Sequence, residues 1–454
     1  MTIITPKPIS GFPEWLPEEK ILELRLLDII RSNFERYGFS PIETSAVERT
    51  EVLTAKGGND REIYAINRLV AVDDEEGRNL ALHFDLTVPL ARYVAQNFSK
   101  IAFPFRRYQI QKVWRGERPQ SGRYREFYQC DIDVIGDGEL SLFTDAEIPS
   151  VIYSIFRQME IGPFVIRINN RKILQGYLRH LGIPDERHSE TLRLIDKMEK
   201  IGIQRVFAEL ANAGIQEDIG KKLIDFVDQQ ASNDETLKKL QSINANETFR
   251  QGIDELATVV KHIRALGVPE DYFQIFIGIA RGLDYYTGTI YETVLKNHPG
   301  IGSICSGGRY DDLASYFIER RLPGVGISIG LTRLFSRLLQ AKILSAGSAT
   351  PAPVLVALLE TDRITEYLSI TTILREAGVN TEMFFEDKKL GNQLKYADKK
   401  GIPLVVIAGS EEFSQNSVKI KNLKTGQEKI VPKKDIVSGI ELELSDLRSK
   451  NLYT

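Results

Sequence analysis

Apolar and polar positions along the chain fall into three successive regimes. The first opens at Pro17-Glu18-Glu19, where proline and acids in the first turn start a stretch of helical period that runs to about Tyr37 and stops at Gly38. Short strand-like runs follow at 62–66, 69–72 and 80–84. Two long strand candidates at 105–114 and 125–135 are joined by a charged stretch, 115–124, that is longer than a structural turn requires. A helix is predicted over 140–159.

The second regime runs from Arg171 to about Gly267, with helical periodicity, few aromatics and many Lys and Glu, and reads as an inserted helical domain. Strands resume at 273–280, 289–295, 303–306 and 325–329, and a helix begins at Thr332. The small, proline-bearing tract 345–353 reads as a linker. Beyond it, strands at 354–359, 381–385, 404–408 and 418–423 alternate with helices at 366–377 and 390–400, the pattern of an α/β module. The expected organisation is a core in two parts (1–170 and 268–344), a helical insertion (171–267), a linker (345–353) and a C-terminal module (354–454).

Composition narrows the function. At 454 residues the chain exceeds one hydrophobic core. A formal net charge of −3 means that any nucleic-acid contact must rest on local basic patches. No apolar run is long enough to span a bilayer, and residues 1–6 lack the features of a signal peptide. Two distant cysteines, Cys130 and Cys305, and five scattered histidines fit a reducing cytoplasm and leave no metal site built on His or Cys. A magnesium ion brought in by a nucleotide stays open.

Four segments carry candidate chemistry. Arg281-Gly282-Leu283-Asp284-Tyr285-Tyr286-Thr287-Gly288-Thr289 packs a cation, a carboxylate, two phenols and hydroxyls between apolar flanks at 276–280 and 290–291, which read as buried strands. Such groups need a ligand or one another, so a pocket and a structural ion pair both stay open. The hairpin holds Lys100, Arg106, Arg107, Lys112, Arg115, Arg118, Arg123 and Arg125, interleaved with Tyr108, Trp114, Tyr124, Phe127 and Tyr128. Arginines hold phosphates and rings stack on bases, so this ribbon suits a nucleotide. Arg333, in the first turn of a helix, adds to the positive end of the dipole, which is favourable when an anion sits there. Asp85 either caps the helix that follows it or binds an ammonium group. Ser306-Gly307-Gly308-Arg309-Tyr310-Asp311 ends a strand, and its tandem glycines serve a turn or a close backbone approach.

Taken in order, these segments resemble the three signature motifs of class II aminoacyl-tRNA synthetases, and 281–286 with 306–311 resemble the two histidine-specific signatures of the histidyl-tRNA synthetase family. The resemblance covers nearly the whole chain. It implies an α+β catalytic domain with a mainly antiparallel sheet flanked by helices, a helical insertion and a C-terminal α/β anticodon-binding module. It implies a histidine–tRNA ligase that forms histidyl-adenylate from L-histidine and ATP, with Mg2+ accompanying ATP, and then charges tRNA(His). It also implies a cytoplasmic homodimer. Arg115 and Arg333 would hold the ATP phosphates, Arg281 the α-phosphate. Glu117 would position the adenosine or the terminal nucleotide of tRNA, and Phe127 would stack on adenine. Asp85, Thr87 and Gln129 would hold the ammonium group; Asp133, Tyr285 and Tyr286 would read the imidazole.

Three positions depart from the family pattern: Ser45 where the first motif has proline, His83 where an arginine precedes the Asp85 acid, and Thr332 where a glutamate precedes the third-motif arginine. A non-catalytic paralogue, similar to the histidine-sensing regulatory subunit of ATP phosphoribosyltransferase, is the main alternative. Retention of Arg115, Arg281, Arg333 and the C-terminal module favours the enzyme.

Overall fold

The computed structural model describes residues 3–55, 62–69, 79–118, 122–228, 231–280, 286–312 and 314–450. They form two compact units, one of residues 1–13 with 28–344, the other of 14–27 with 345–454.

The first unit is built on an eight-stranded sheet. Its strands are β1 (Ser40–Pro41), β5 (Phe105–Trp114), β6 (Glu126–Ile135), β7 (Phe164–Asn170), β8 (Phe273–Ile275), β9 (Thr289–Leu295), β10 (Ser303–Tyr310) and β11 (Gly324–Gly330). A separate small sheet holds β2 (Val47–Arg49), β3 (Ala65–Ile66) and β4 (Leu80–Leu82). The large sheet runs β1-β5-β6-β11-β10-β9-β7-β8. Only the end pairs β1/β5 and β7/β8 are parallel, so the sheet is mainly antiparallel as expected. β6 lies near the middle, antiparallel to both β5 and β11. Its alternate residues Cys130, Ile132 and Val134 are buried on one face. Gln129, Asp131 and Asp133 are buried on the other, an unusual polar burial for a strand.

Helices cover the sheet. In Leu331–Gln340, Leu331, Leu334, Phe335 and Leu338 recur at helical spacing and are all buried. Two side chains tie this helix to the β5/β6 hairpin: Tyr128 N–H donates to Thr332 Oγ1 (2.9 Å), and the Tyr124 hydroxyl to Ser336 Oγ (2.6 Å). Every regular element among the described residues of 171–267 is a helix, from Arg171–His180 to Glu247–Ala265. Its starts follow capping rules: Asn170 accepts from Lys172 N–H, and Ser232 with Glu235 forms a reciprocal capping box.

The second unit has a mixed sheet of β12 (Val354–Val356), β13 (Thr381–Met383), β14 (Leu404–Ile407), β15 (Ser417–Asn422) and β16 (Glu428–Pro432), in the order β13-β12-β14-β15-β16. Alternation along β12 sends Val354 and Val356 to one core with Tyr367, Ile370 and Ile440, and Leu355 to the other with Ala397 and Val405. Within 345–353, Ser348 Oγ donates to Lys400 O at 2.9 Å.

The structure revises several expected elements. The strand expected over 273–280 ends at Ile275. Residues 276–280 are irregular, with Ile277, Ile279 and Ala280 buried, and Asn169 Nδ2 satisfies the carbonyls of Ile277 (3.0 Å) and Ile279 (3.2 Å) where a neighbouring strand would have done so. β10 extends beyond the expected 303–306 to Tyr310, because both tandem glycines stay in the ladder with β11. β16 and the helix Ile436–Ser449 were not anticipated. Of the run expected at 69–72, residues 70–72 lie outside the described residues.

Candidate functional site

The polar face of β6 sets the site. Phe127, Gln129, Asp131 and Asp133 alternate along the strand and share that face. Val113, Gln111, Gln109 and Arg107 stand opposite them on β5. Gly330, Ser328 and Gly326 stand opposite Gln129, Asp131 and Asp133 on β11. A cavity of about 340 Å³ opens over this surface. Arg115, Glu117, Arg123, Phe127, Gln129, Cys305, Ser306, Ser328 and Arg333 are among the residues that line it.

One end of the site is cationic and aromatic. The Arg115 guanidinium carbon stands 5.1 Å from the Phe127 ring centroid. Its Nε donates to Phe84 O at 2.9 Å, which holds the fork over the ring. Glu117 Oε2 lies 3.4 Å from Arg123 Nη1. Arg333 sits in the first turn of Leu331–Gln340, where guanidinium and helix dipole add their positive fields. Three other basic residues of the hairpin are committed elsewhere. Arg106 pairs with Glu147 (2.8 Å), Lys112 with Glu126 (2.6 Å), and Arg125 Nε donates to Glu117 O (3.0 Å). Of the ribbon read from sequence as phosphate-binding, Arg115 and Arg123 are therefore the arginines that line the cavity.

The other end is acidic and buried. Arg107, with no exposed surface, puts Nη2 at 2.5 Å from Asp133 Oδ2. This is an ionic contact, since none of the three guanidinium nitrogens has an aligned hydrogen-bond acceptor. The Tyr310 hydroxyl donates to Asp133 Oδ1 at 2.8 Å. Burial pushes the Asp133 carboxyl above its usual range against the pull of Arg107 and Tyr310. Asp131 is pushed up to about 7, chiefly by burial, eased by Arg107 and the Ser328 hydroxyl and worsened by Asp133 and Asp85. Asp85 is raised by burial as well, countered by Val88 N–H and Arg115. Tyr286 is raised by burial and by Asp133 and Asp131, so its hydroxyl stays a neutral donor.

Two glycines make this packing possible. A Cβ on Gly326 would stand 2.2 Å from Asp133 Oδ1, and one on Gly308 would stand 2.8 Å from Tyr286 Cδ1. The tandem-glycine segment thus serves close approach of side chains to the sheet. Three buried acceptors here have no donor: Gln109 Oε1, Gln129 Oε1 and Asp131 Oδ1. Unpaired buried acceptors are costly, and a ligand with N–H groups would satisfy them.

Arg115, Glu117, Phe127, Gln129 and Arg333, read from the sequence, all line the cavity. Asp133 and Tyr286 meet at the acidic end. Leu86, not Asp85, is the N-cap of the helix Thr87–Gln96, but Asp85 Oδ1 accepts from the first-turn Val88 N–H at 3.1 Å beside its electrostatic contact with Arg115. Arg281, Asp284 and Tyr285 lie outside the described residues. His83 is fully buried and its Nε2 donates to Lys112 O at 2.7 Å, while burial lowers its pKa. It is a neutral packing residue. Ser45 Oγ accepts from Val47 N–H at 3.3 Å. Arg107, read with the phosphate-binding ribbon, instead pairs with Asp133. Asp131 and Ser328 were missed by the sequence reading; the period-two spacing of Gln129, Asp131 and Asp133 was the available signal for Asp131.

Comparison with known proteins identifies the family. A family model described as histidyl-tRNA synthetase matches residues 11–334, and one described as an anticodon binding domain matches residues 353–442. A histidine–tRNA ligase of Nostoc punctiforme is 48% identical over 441 residues, covering 92% of this chain and 94% of that relative. The crystal structure of histidyl-tRNA synthetase from Nostoc sp. PCC 7120 superposes with a TM-score of 0.91 at 46% identity, over 97% of this chain and all (100%) of that one. A Bacillus halodurans structure titled ATP phosphoribosyltransferase regulatory subunit/histidyl-tRNA synthetase shares the fold, with a TM-score of 0.71 at 19% identity over 87% of this chain and 97% of that one.

Proposed function

The chain belongs to the histidyl-tRNA synthetase family and carries its histidine–tRNA ligase activity, and from that premise we propose how its residues divide the work. The observation that carries the assignment is a cavity lined by Arg115, Arg123, Arg333 and Phe127, whose lining residues Gln129 and Ser328 adjoin the buried Asp131 on the sheet. ATP takes the cationic end. Phe127 stacks on adenine, Arg115 and Arg333 hold phosphates, and Glu117 positions the adenosine or the terminal nucleotide of tRNA. Histidine takes the acidic end. Asp85, Thr87 and Gln129 face its ammonium group; Asp133, Tyr285 and Tyr286 face its imidazole. Arg281 is assigned to the α-phosphate from its place in the sequence motif.

In the first step the histidine carboxylate oxygen attacks the α-phosphorus of ATP, the bond to the bridging oxygen breaks, and pyrophosphate leaves with that electron pair. In the second, the 3′-terminal adenosine hydroxyl of tRNA(His) attacks the activated carbonyl and AMP departs. Neither step needs a nucleophilic side chain, so positioning and fixed positive charge do the chemistry. Among the described residues no group of three or more His, Cys, Asp or Glu side chains is placed to hold a metal. Mg2+ would accompany the ATP phosphates, as the family resemblance implies. The helical region 171–267 is proposed as an insertion into the catalytic unit, 345–353 as a linker and 354–454 as the anticodon-binding part. The same reading makes the protein a cytoplasmic homodimer; among the described residues no helix is long and apolar enough to cross a membrane.

The regulatory-subunit alternative shares the fold but gives no reason for Arg115 stacked on Phe127 or for the match to an anticodon binding domain. Histidine-dependent ATP–pyrophosphate exchange separates the two. Exchange with purified protein is expected. Histidine binding without exchange would assign the chain to the sensor class.

A further inference from the structure

We infer that Asp131 is a specificity-determining residue, its unpaired carboxylate oxygen accepting an N–H of the substrate's imidazole beside Tyr286. The inference rests on the proposed histidine site and adds a reader to it. Asp133 already has a partner on each oxygen, the Tyr310 hydroxyl on Oδ1 at 2.8 Å and Arg107 on Oδ2 at 2.5 Å, which leaves it fewer acceptor sites for a ligand. Asp131, two residues earlier on the same face of β6, is 3% exposed and keeps Oδ1 without a partner.

Its surroundings hold it in place. Gln129 Nε2 donates to Ser328 Oγ at 2.7 Å, which leaves the Ser328 hydroxyl hydrogen for Asp131. This chain fixes the Gln129 amide with its Oε1 unpaired as well. Gln129 and Ser328 line the cavity, and Asp131 adjoins both, two residues from Gln129 on β6 and opposite Ser328 on β11. A buried acceptor that is oriented yet unsatisfied costs stability unless a donor arrives. The histidine ring is such a donor, and Asp131 then joins Asp133 and Tyr286 around its two nitrogens.

Charge supports the geometry. Arg107 on β5, Asp133 on β6, Asp85 at the start of Thr87–Gln96, Cys305 on β10, Tyr286 and the Ser328 hydroxyl on β11 all face Asp131. With its carboxyl raised to about 7, Asp131 becomes a full anion only above neutral pH. Histidine affinity is therefore expected to rise with pH through about 7, on a limb that Asp131 supplies.

The test uses the full-length protein and equilibrium binding by calorimetry. Asp131→Ala is expected to weaken histidine by about ten- to a hundredfold, the value of a hydrogen bond to a charged group, with ATP affinity unchanged. The wild type should reject both Nδ1-methyl- and Nε2-methylhistidine. The alanine variant should admit one of them about as well as histidine, a change that a merely structural role would not produce. Asp131→Asn, of the same shape, should bind histidine without the rise through neutral pH, and carries the test if the alanine variant does not fold. Weaker binding with both methylhistidines still rejected and the pH limb retained would overturn the proposal. A wild type that binds no histidine at all would instead remove the histidine site on which it rests.

Discussion

Arg107→Met tests the electrostatic account of the acidic end. The guanidinium is fully buried, stands 2.5 Å from Asp133, and offsets the burial cost of both Asp133 and Asp131. Removing one partner of a buried pair typically costs about 3–5 kcal/mol, because the other charge is left without compensation. Here two carboxylates lose the same cation, which places the expected loss near the upper end, about 5 kcal/mol at about pH 8. The pH dependence has a definite sign. Asp131 and Asp133 already titrate above their unfolded values, so the native state binds more protons over that interval and stability falls as pH rises. Without Arg107 both carboxyls move higher still, each further unit adding about 1.4 kcal/mol to the cost of ionisation. The variant's deficit should therefore shrink as pH falls below about 7, where protonation removes the uncompensated charge. The chain has two tryptophans, Trp15 and Trp114. In a Trp15→Phe background, Trp114 at the end of β5 reports urea unfolding of the sheet that carries Arg107. A deficit of equal size at about pH 5.5 and about pH 8, or one that grows on acidification, would refute this account and leave Arg107 as packing.

Other substitutions probe the remaining assignments. Tyr286→Phe should raise the histidine KM by about tenfold or more while leaving the ATP KM in place, since a site built around a hydrogen bond discriminates strongly when that bond is lost; an unchanged histidine KM would make the ring packing only. Gly308→Ala puts a Cβ at 2.6 Å from Thr289 O as well as 2.8 Å from Tyr286, so backbone must shift. The expected results are a loss of about 1–3 kcal/mol in thermal or urea stability and a raised histidine KM, and a variant with wild-type stability would contradict the close-packing argument. Arg281→Ala, read from its motif, should slow ATP–pyrophosphate exchange by about a hundredfold or more in a folded protein. Near-normal exchange would take Arg281 off the α-phosphate.

Much of this architecture was readable because strand period and turn chemistry act locally. The β5/β6 hairpin, the helix carrying Arg333 and the alternation after residue 353 follow from spacing alone. What escaped depended on register. Arg106 and Arg107 are neighbours in sequence, but the strand sends one to Glu147 and the other, with no exposed surface, to Asp133. A sum of charges along the hairpin cannot separate them. Asp131 shares a spacing with Gln129 and Asp133 and was still passed over, because the polar face of an antiparallel strand ordinarily meets water. Only the packed sheet shows that both faces of β6 are buried. β16 was missed for the opposite reason: as an edge strand it buries Val431 and little else, so it carries almost no apolar signal. The false extension of β8 had a genuine apolar run behind it, and the side chain of Asn169 took over the bonds a ladder would have made.

The three departures from the family pattern differ in kind once their surroundings are known. His83 stands where relatives were expected to carry an arginine, yet its ring is enclosed, 5.5 Å from that of Trp114, with Nε2 spent on the Lys112 carbonyl. The carboxylates of Asp85 and Glu48 act on the ring electrostatically, yet burial outweighs them and keeps it neutral. The position has thus been absorbed into the core, and Arg115, anchored on Phe84 O one residue before Asp85, is the cation that faces this acid. Thr332 likewise has a structural task, holding Tyr128 N–H and so fixing the helix of Arg333 against the hairpin of Arg115. A glutamate there would have to leave that bond or place its charge inside the buried first turn. Both substitutions therefore shift work from a charge at the site to the placement of a neighbouring arginine, which is why the cavity keeps its cationic end without them.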